Sequence, residues 1–185
     1  NLNLRRHADW IQAAQRAWDE LRAAHRPAAA LGYSMGGAVA LNLDFAPQDR
    51  LVLAAPFWRP PGVLPAMIPL IRRVVPNLRP FKNANFGDPR LRQQFDRILP
   101  GVDLDDPEVR QVIREEFVLP LRAMEEVIRM GRQAYRRAAG FPAHALVIQG
   151  AQDELVRPGD TRRLVRRLPA GRAVYHEIAA GHNLL

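Results

Sequence analysis

The chain contains a single serine, and its surroundings indicate a reactive hydroxyl. Ser34 lies in the hexapeptide GYSMGG (residues 32–37), which follows a short apolar run and opens an Ala- and Leu-rich run. This order predicts a strand, a sharp turn and a helix, and such a turn holds the serine hydroxyl out of the sheet. We expect Gly32 and Gly36 to be required, because a side chain two positions from the serine would collide with neighbouring backbone.

The same turn would place a hydrogen-bond donor beside the serine. The backbone N–H of Met35 begins the predicted helix, where unpaired N–H groups and the helix dipole favour negative charge. It would therefore stabilise an oxyanion formed when Ser34 attacks a carbonyl group. The alternative, a glycine-rich connection with an incidental serine, is disfavoured by the strand–turn–helix pattern around it.

Composition limits the class of protein. A chain of 185 residues with 48% hydrophobic and 25% charged residues predicts one globular domain. It has no cysteine, which excludes disulfides and thiolate metal sites, and no apolar run long enough to predict a transmembrane helix. No signal peptide is recognisable. We therefore expect a cytoplasmic protein, and nothing in the sequence implies a metal or an organic cofactor.

The net charge of +8 has two interpretations. All but one of the 27 Lys and Arg residues are arginine, the exception being Lys82. A basic surface would attract anionic lipid or nucleic acid. A coding bias towards Arg, Ala and Pro would instead scatter arginines over solvated helix faces. The arginines are scattered and are not interleaved with aromatic residues, so we expect no nucleic-acid partner. Transient contact with a lipid surface stays open.

The order of apolar segments predicts a parallel α/β sheet. Four apolar runs are predicted strands, and the longer helical patterns lie between them. Between residues 56 and 141 prolines are dense and only helical patterns occur, so we interpret this block as an all-helical insertion. The core would then comprise residues 1–55 and 142–185. The predicted strands are 28–33, 51–55, 145–148 and 173–178.

Two side chains are placed to assist the serine. In a parallel sheet, functional groups gather at the carboxyl ends of the strands. Asp153 follows the third predicted strand and His182 follows the fourth, as Ser34 follows the first. A base to accept the serine proton and an acid to orient that base are what a nucleophilic hydroxyl requires. Two nearby carboxylates, Glu154 and Asp160, are alternatives to Asp153. The other histidines lie at less suitable positions, and they are His7, His25, His144 and His176.

These segments resemble the α/β-hydrolase fold, and within it the group of monoacylglycerol lipases, lysophospholipases and serine aminopeptidase-like esterases. The resemblance is carried by GYSMGG at 32–37, GAQDELV at 150–156 and GHN at 181–183. It implies a catalytic triad with Ser34 as nucleophile on a nucleophile elbow, His182 as general base and Asp153 as the orienting acid. It also implies that the Met35 N–H is an oxyanion donor and that residues 56–141 form a lid.

The chain departs from this family at both ends. Such hydrolases have about eight strands, and this sequence predicts about four, as expected for the C-terminal half of the fold. The family's His-Gly-type loop, which supplies a second oxyanion donor, is not recognisable in the sequence, nor is the helix that closes the fold after the histidine. We therefore expect an N-terminally and slightly C-terminally truncated member, with doubtful activity as a fragment because one donor is worth roughly a hundredfold in rate.

The predicted substrate is a carboxylic ester, such as a monoglyceride, a lysophospholipid or a simple acyl ester. Phe57, Trp58 and Met67 follow the second strand and would line an apolar acyl pocket, with Tyr33 beside the serine. The same residues could instead only attach the insertion to the core. A peptidase or amidase of the same fold, or an impaired fragment that acts as a binding module, are the alternatives.

Overall fold

A computed structural model describes residues 5–60, 62, 64–98 and 101–184. Helices and strands alternate along the chain, except between residues 56 and 141. The helices are α1 (His7–Ala24), α2 (Met35–Ala40), α3 (Leu64–Ile71), α4 (Pro89–Ile98), α5 (Pro107–Glu116), α6 (Leu121–Arg137) and α7 (Pro158–Val165), with a 3₁₀ turn at Ala138–Gly140. The strands are β1 (Ala29–Tyr33), β2 (Arg50–Ala54), β3 (Asn77–Leu78), β4 (Leu119–Pro120), β5 (His144–Gly150) and β6 (Ala173–Ile178). Among the described helices, none combines the length and the hydrophobicity needed to cross a bilayer.

Four of the strands form one parallel sheet in the order β1-β2-β5-β6. The last residues of β1 and β2 are paired, Tyr33 with Ala54, and the last residues of β5 and β6 are paired, Gly150 with Ile178. The loops that follow β1, β5 and β6 therefore leave the sheet at the same edge. The predicted α/β class, with four parallel strands flanked by helices, is confirmed.

The main hydrophobic core packs against one face of this sheet. Strand β2 contributes the fully buried Leu51 and Leu53, and β5 contributes Val147. The second half of α6 packs on the same core through Met130 and Ala134. On the other face, Val52 and Leu146 are only half-buried, and Leu31 and Val174 at its margins are exposed. The apolar runs of the sequence therefore do not correspond to burial on both faces of the sheet.

Segment 56–141 contains helices α3 to α6, but it is not all helical. Strands β3 and β4 form a two-stranded antiparallel pair, so the expectation of an all-helical block was wrong. Each of these strands has only two residues, and such short strands leave little periodic signal in the sequence. Because α6 packs in the main core, the boundary at residue 141 stays a prediction.

A buried carboxylate joins the start of the sheet to α1. Asp49 is fully buried and accepts hydrogen bonds from the N–H groups of Ala28 at 3.2 Å and Ala46 at 2.7 Å. Its other neighbour is Arg22, at 3.1 Å. Burial by itself raises the pKa of Asp49, but the two backbone donors and the positive charges of Arg22 and Arg26 outweigh burial and lower it below its ordinary value.

Candidate active site

Ser34 occupies the turn between β1 and α2 in a conformation that side chains rarely adopt. Its φ is 49° and its ψ is −117°. This region of φ/ψ space is strained for a residue with a Cβ atom, and it persists only where the surrounding structure imposes it. Here the Ser34 N–H donates to the carbonyl of Ala54, and the Ser34 carbonyl accepts from the N–H groups of Gly37 and Phe57. The backbone on both sides of the serine is thus fixed.

Of the two glycines expected to be required in the turn, the structure requires one. A Cβ atom on Gly32 would lie 2.7 Å from both the Gly36 carbonyl oxygen and the Gly37 Cα, so this glycine is required as predicted. A Cβ atom on Gly36 would meet nothing within 4 Å, so the steric argument for Gly36 was wrong. The second tight position is Gly37, where a Cβ atom would lie 3.0 Å from the Pro56 Cβ. This contact is between segments far apart in the chain and is not visible in the motif.

Three side chains from three loops form a continuous hydrogen-bonded chain at this edge of the sheet. The Nε2 atom of His182 lies 3.1 Å from the Ser34 Oγ, and its Nδ1 atom lies 2.8 Å from the Asp153 Oδ2. An ionised carboxylate can only accept, so the proton of the neutral ring belongs on Nδ1. The Nε2 lone pair is then directed at the Ser34 hydroxyl. This arrangement can remove the hydroxyl proton and stabilise the resulting imidazolium.

The carboxylate of Asp153 is almost completely buried, at 3% exposure, and all its partners are donors. Its Oδ1 atom accepts from the N–H groups of Leu155 at 2.9 Å and Val156 at 2.8 Å. Its Oδ2 atom accepts from His182 and from the side-chain amide of Gln149, at 3.1 Å. Sequence reasoning missed Gln149, although a polar residue inside an otherwise apolar strand was a visible signal.

The rival residues lie elsewhere. Asp160 pairs with Arg59 in an ion pair at the start of α7. His7 bonds to Glu126 of α6 at 2.6 Å, and His144 is an exposed residue at the start of β5, at the opposite end of the sheet from Ser34. Glu154 follows Asp153 directly and lines the cleft beside it.

The loop that carries His182 lies directly on the end of β5. A Cβ atom on Gly150 would be 2.1 Å from the Gly181 carbonyl oxygen and 2.5 Å from that of Ala180. The N–H of Gln152 donates to the Ala180 carbonyl at 3.0 Å, and the N–H of Ala151 donates to that of Ile178 at 2.8 Å. Because Gly150 has no side chain, the backbone of the 180–181 loop can approach it closely, and this approach sets the distance of His182 from the end of the sheet.

Tyr33 contacts the histidine from the other side. Its hydroxyl donates to the His182 carbonyl at 3.0 Å and lies 3.5 Å from the Asn183 Oδ1, and its ring centre is 5.2 Å from the imidazole centre. Burial, and to a smaller extent the charge of Asp153, raise the pKa of Tyr33, so the phenol stays protonated as a donor. These contacts are with the protein, while the predicted substrate contact of Tyr33 stays a prediction.

The other predicted pocket residues have structural contacts. The indole of Trp58 stacks on Tyr135 of α6 with ring centres 4.1 Å apart, and its N–H donates to the Asp160 carbonyl at 2.9 Å. Phe57 is half-buried directly after β2, and the Met67 side chain is 51% exposed on α3. The structure does not assign any of these three to a ligand, and their role in binding stays a prediction.

A cleft of about 1310 Å³ opens beside the His182–Asp153 pair. Its lining mixes ionisable and apolar groups from the loops after β5 and β6, and α4 contributes Asp96. The lining residues are Asp96, Ala151, Gln152, Asp153, Glu154, Leu155, Arg157, Gly181, His182 and Asn183. Within the described part of the chain, no three histidine or carboxylate side chains converge as metal ligands would.

Comparison with known proteins agrees with this geometry. The profile of the family described as serine aminopeptidase, S33, a hydrolase family, matches residues 3–185. Among curated protein sequences, none matches the chain at a significant level. Three similar solved structures each align with more than 90% of this chain, and this chain spans between 58% and 68% of theirs.

Three such structures are at most 18% identical and therefore show the fold. The monoacylglycerol lipase of Paleococcus ferrophilus is 17% identical, with a TM-score of 0.64 over 97% of this chain and 68% of that one. A structure from work on the metagenome-derived lipolytic enzymes LipS and LipT is 18% identical, with a TM-score of 0.69 over 98% and 67%. A soluble variant of monoglyceride lipase from Saccharomyces cerevisiae, in complex with a substrate analog, is 14% identical, with a TM-score of 0.57 over 92% and 58%.

Proposed function

We propose that this chain, which belongs to the serine aminopeptidase, S33 family of α/β hydrolases, cleaves carboxylic esters through an acyl-enzyme formed on Ser34. The observation that carries the proposal is the continuous hydrogen-bonded chain from the Ser34 Oγ through His182 to the buried Asp153. A strained turn holds the hydroxyl at one end of this chain. A serine, a base and an orienting acid in this order are the parts of a nucleophilic acyl transfer.

In the proposed reaction, His182 Nε2 accepts the hydroxyl proton while the Ser34 Oγ bonds to the ester carbonyl carbon. The carbonyl oxygen becomes an oxyanion, for which the Met35 N–H beside the serine is one donor. The imidazolium then gives its proton to the departing alkoxide, and the acyl-enzyme remains. A water molecule, deprotonated by the same imidazole, releases the acid and restores Ser34. Asp153 keeps its charge throughout and stabilises the imidazolium.

Ester cleavage is supported by the kind of proteins that share the fold. Two of the similar structures are described as lipases of monoacylglycerol or monoglyceride, and a third as a lipolytic enzyme. We propose a monoglyceride, a lysophospholipid or a simple acyl ester as the substrate. Segment 56–141 would act as the lid over Ser34, with Phe57 and Met67 as candidate contacts for the acyl chain.

Amide cleavage is the second candidate, because the family that matches the chain is described as a serine aminopeptidase. The same three side chains serve both reactions, since each passes through an acyl-enzyme and a tetrahedral oxyanion. The two candidates differ in the leaving group. An amine leaving group must be protonated by His182 before it departs, whereas an ester alkoxide is a better leaving group and depends less on this proton.

A fluorophosphonate probe tests the nucleophile. Because Ser34 is the only serine, labelling of the purified chain should be confined to one peptide and should disappear in Ser34→Ala. His182→Ala should slow labelling by about 1000-fold or more, as expected when the base of such a triad is removed. His176→Ala is the matched control, since this exposed histidine of β6 has no contact with Ser34. Labelling that persists in Ser34→Ala would contradict the proposal.

The leaving group is tested with two substrate series. Hydrolysis of p-nitrophenyl acetate, butyrate and octanoate should exceed hydrolysis of aminoacyl p-nitroanilides, measured as kcat/KM. A rate that rises from acetate to octanoate would support an acyl pocket formed by segment 56–141. A preference for the anilides would favour the peptidase and would exclude the esterase proposal.

A further inference from the structure

The strongest feature that the proposed mechanism does not use is a buried polar network behind Asp153. Gln149, the penultimate residue of β5, and Thr161 of α7 are both fully buried. The Thr161 hydroxyl donates to the Gln149 Oε1 at 2.6 Å. The Gln149 Nε2 lies 3.1 Å from the Asp153 Oδ2, 2.9 Å from the Val156 carbonyl and 3.1 Å from the Gly150 carbonyl.

We propose that Gln149, held in place by Thr161, is a positioning residue that keeps the Asp153 carboxylate in the plane in which it accepts a hydrogen bond from the His182 Nδ1–H. This inference rests on the proposed function, since it assigns a role within the same site. It adds two residues that touch neither the serine nor the histidine. Their effect on the reaction would pass through Asp153 alone.

Only one orientation of the Gln149 amide satisfies the network. Three acceptors surround the Nε2 position, namely one carboxylate oxygen and two backbone carbonyls. If the amide were rotated by 180°, its oxygen would face all three acceptors and no donor would reach the carboxylate. In the observed orientation the oxygen instead faces the Thr161 hydroxyl, which has a proton to give. The carbonyls of Gly150 and Val156 therefore select the orientation in which Gln149 is a donor to Asp153, and the Thr161 hydroxyl holds the amide there by donating to its oxygen.

Gln149 donates to the same Asp153 oxygen atom, Oδ2, that accepts from His182. The Asp153 Oδ1 is fixed by the N–H groups of Leu155 and Val156, which leaves rotation of the carboxylate about this anchored oxygen as its remaining freedom. The Gln149 N–H restrains that rotation, because it bonds to Oδ2 at 3.1 Å. A rotated carboxylate would lengthen the 2.8 Å bond to the His182 Nδ1 and misdirect Nε2 from Ser34.

The network is built for polar partners. Apolar side chains could fill the same buried space between β5 and α7, and they would not need hydrogen-bond partners. A half-satisfied buried network is worse than an apolar one, so its polar atoms must be completely paired, and here every polar atom of the two side chains has a partner. Both described partners of the Asp153 Oδ2 are thus donors whose direction is fixed by the fold.

Two variants at Thr161 test the inference. Thr161→Val removes the hydroxyl and keeps the shape, so the amide oxygen is left buried without its donor and the amide is held less firmly. Because a small misplacement of a catalytic group costs up to about 100-fold in rate, kcat for the best p-nitrophenyl ester should fall by about 10- to 100-fold. KM should change less than twofold, because neither residue contacts the substrate. Thr161→Ser retains the hydroxyl and should keep kcat within about threefold of the unaltered chain, which a loss of packing alone would not predict.

A variant at Gln149 and a spectroscopic measurement distinguish a positioning role from poor folding. Gln149→Met has a similar length and no donor, and it should show the same split between kcat and KM. The His182 Nδ1 proton should give a low-field ¹H NMR resonance, measured in the Ser34→Ala chain so that turnover is not involved. Thr161→Val should broaden this resonance or move it upfield, and Thr161→Ser should not. Circular dichroism establishes that each variant is folded.

The outcomes separate this inference from the proposed function. Loss of ester hydrolysis in every chain, with a normal Nδ1 resonance that responds to Thr161→Val, would reject the function and keep the positioning role. Folded Thr161→Val and Gln149→Met chains with unchanged kcat and an unchanged resonance would overturn the inference. So would a Thr161→Ser chain as impaired as Thr161→Val.

Discussion

Replacement of Gly150 by alanine is the sharpest test of how the histidine is placed. The added Cβ would lie 2.1 Å from the Gly181 carbonyl oxygen and 2.5 Å from that of Ala180, and both contacts are with backbone. Contacts under 3.0 Å are essentially never seen for real Cβ atoms, so the loop must retreat by about 1 Å. A side chain could rotate away from such a clash, but these peptide groups cannot.

The displaced loop carries His182, whose Nε2 is 3.1 Å from the Ser34 Oγ. A retreat of about 1 Å stretches this hydrogen bond beyond its useful range. A misplacement of that size costs on the order of 100-fold in rate. Overpacking of a close contact should also lower the free energy of unfolding by about 1–3 kcal/mol. We therefore expect a folded chain with a normal KM and about 1% of the original kcat.

The assay is the p-nitrophenyl ester rate, together with thermal unfolding and the rate of fluorophosphonate labelling. Gly140→Ala is the matched control, because a Cβ atom there meets nothing within 4 Å and the residue precedes β5, whereas the three loops of the site follow their strands. This control should retain both activity and melting temperature. A Gly150→Ala chain with the kcat and melting temperature of the original would refute the reasoning, because the loop would then not be positioned by its contact with β5.

Three further predictions concern the turn, the tyrosine and the buried acid. Gly32→Ala should destabilise the turn by about 1–3 kcal/mol in chemical denaturation, whereas Gly36→Ala should leave the free energy of unfolding within about 0.5 kcal/mol, and equal effects would contradict the steric argument. Tyr33→Phe removes the donor to the His182 carbonyl and should lower kcat several-fold with little change in melting temperature; an unchanged kcat would mean that the hydroxyl does not position the loop. Asp49→Ala leaves two backbone donors and Arg22 without their acceptor, so unfolding should become easier by about 1–3 kcal/mol at pH 7. Since the folded-state pKa of Asp49 is lowered, its stabilisation is complete above the unfolded pKa of about 4 and is lost as pH falls through the folded pKa. The difference between the two chains should therefore shrink below pH 4, and a difference that is constant down to pH 2 would contradict this.

Much of the fold followed from local pattern. The apolar runs predicted the four parallel strands of the main sheet, because each run has the length and composition of a strand. The β3–β4 pair was missed for a different reason. Each of its strands has two residues, and their pairing joins Leu78 to Leu119 across about forty residues, so no periodicity within the sequence reports it.

The glycines also divide into those whose requirement is visible in the local sequence and those whose requirement depends on distant residues. The requirement for Gly32 was predicted because the colliding atoms belong to the turn itself, within five residues. Gly37 is constrained by Pro56 and Gly150 by the loop at 180–181, both of which come from distant parts of the chain. Gly36 looked equivalent to Gly32 in the motif, but its Cβ direction points into open space.

The sequence by itself determined the reactive candidate, the order of Ser34, Asp153 and His182, and their places after the first, third and fourth strands of the main sheet. Only the tertiary structure decided that these three side chains meet at hydrogen-bonding distance and that Gln149 and Thr161 lie behind them. The physical reason is that residue type and strand order are local properties, and they set which end of the sheet a group occupies. A hydrogen bond depends on positions accurate to a few tenths of an ångström, and these are set by packing between loops that the chain brings together from over a hundred residues apart.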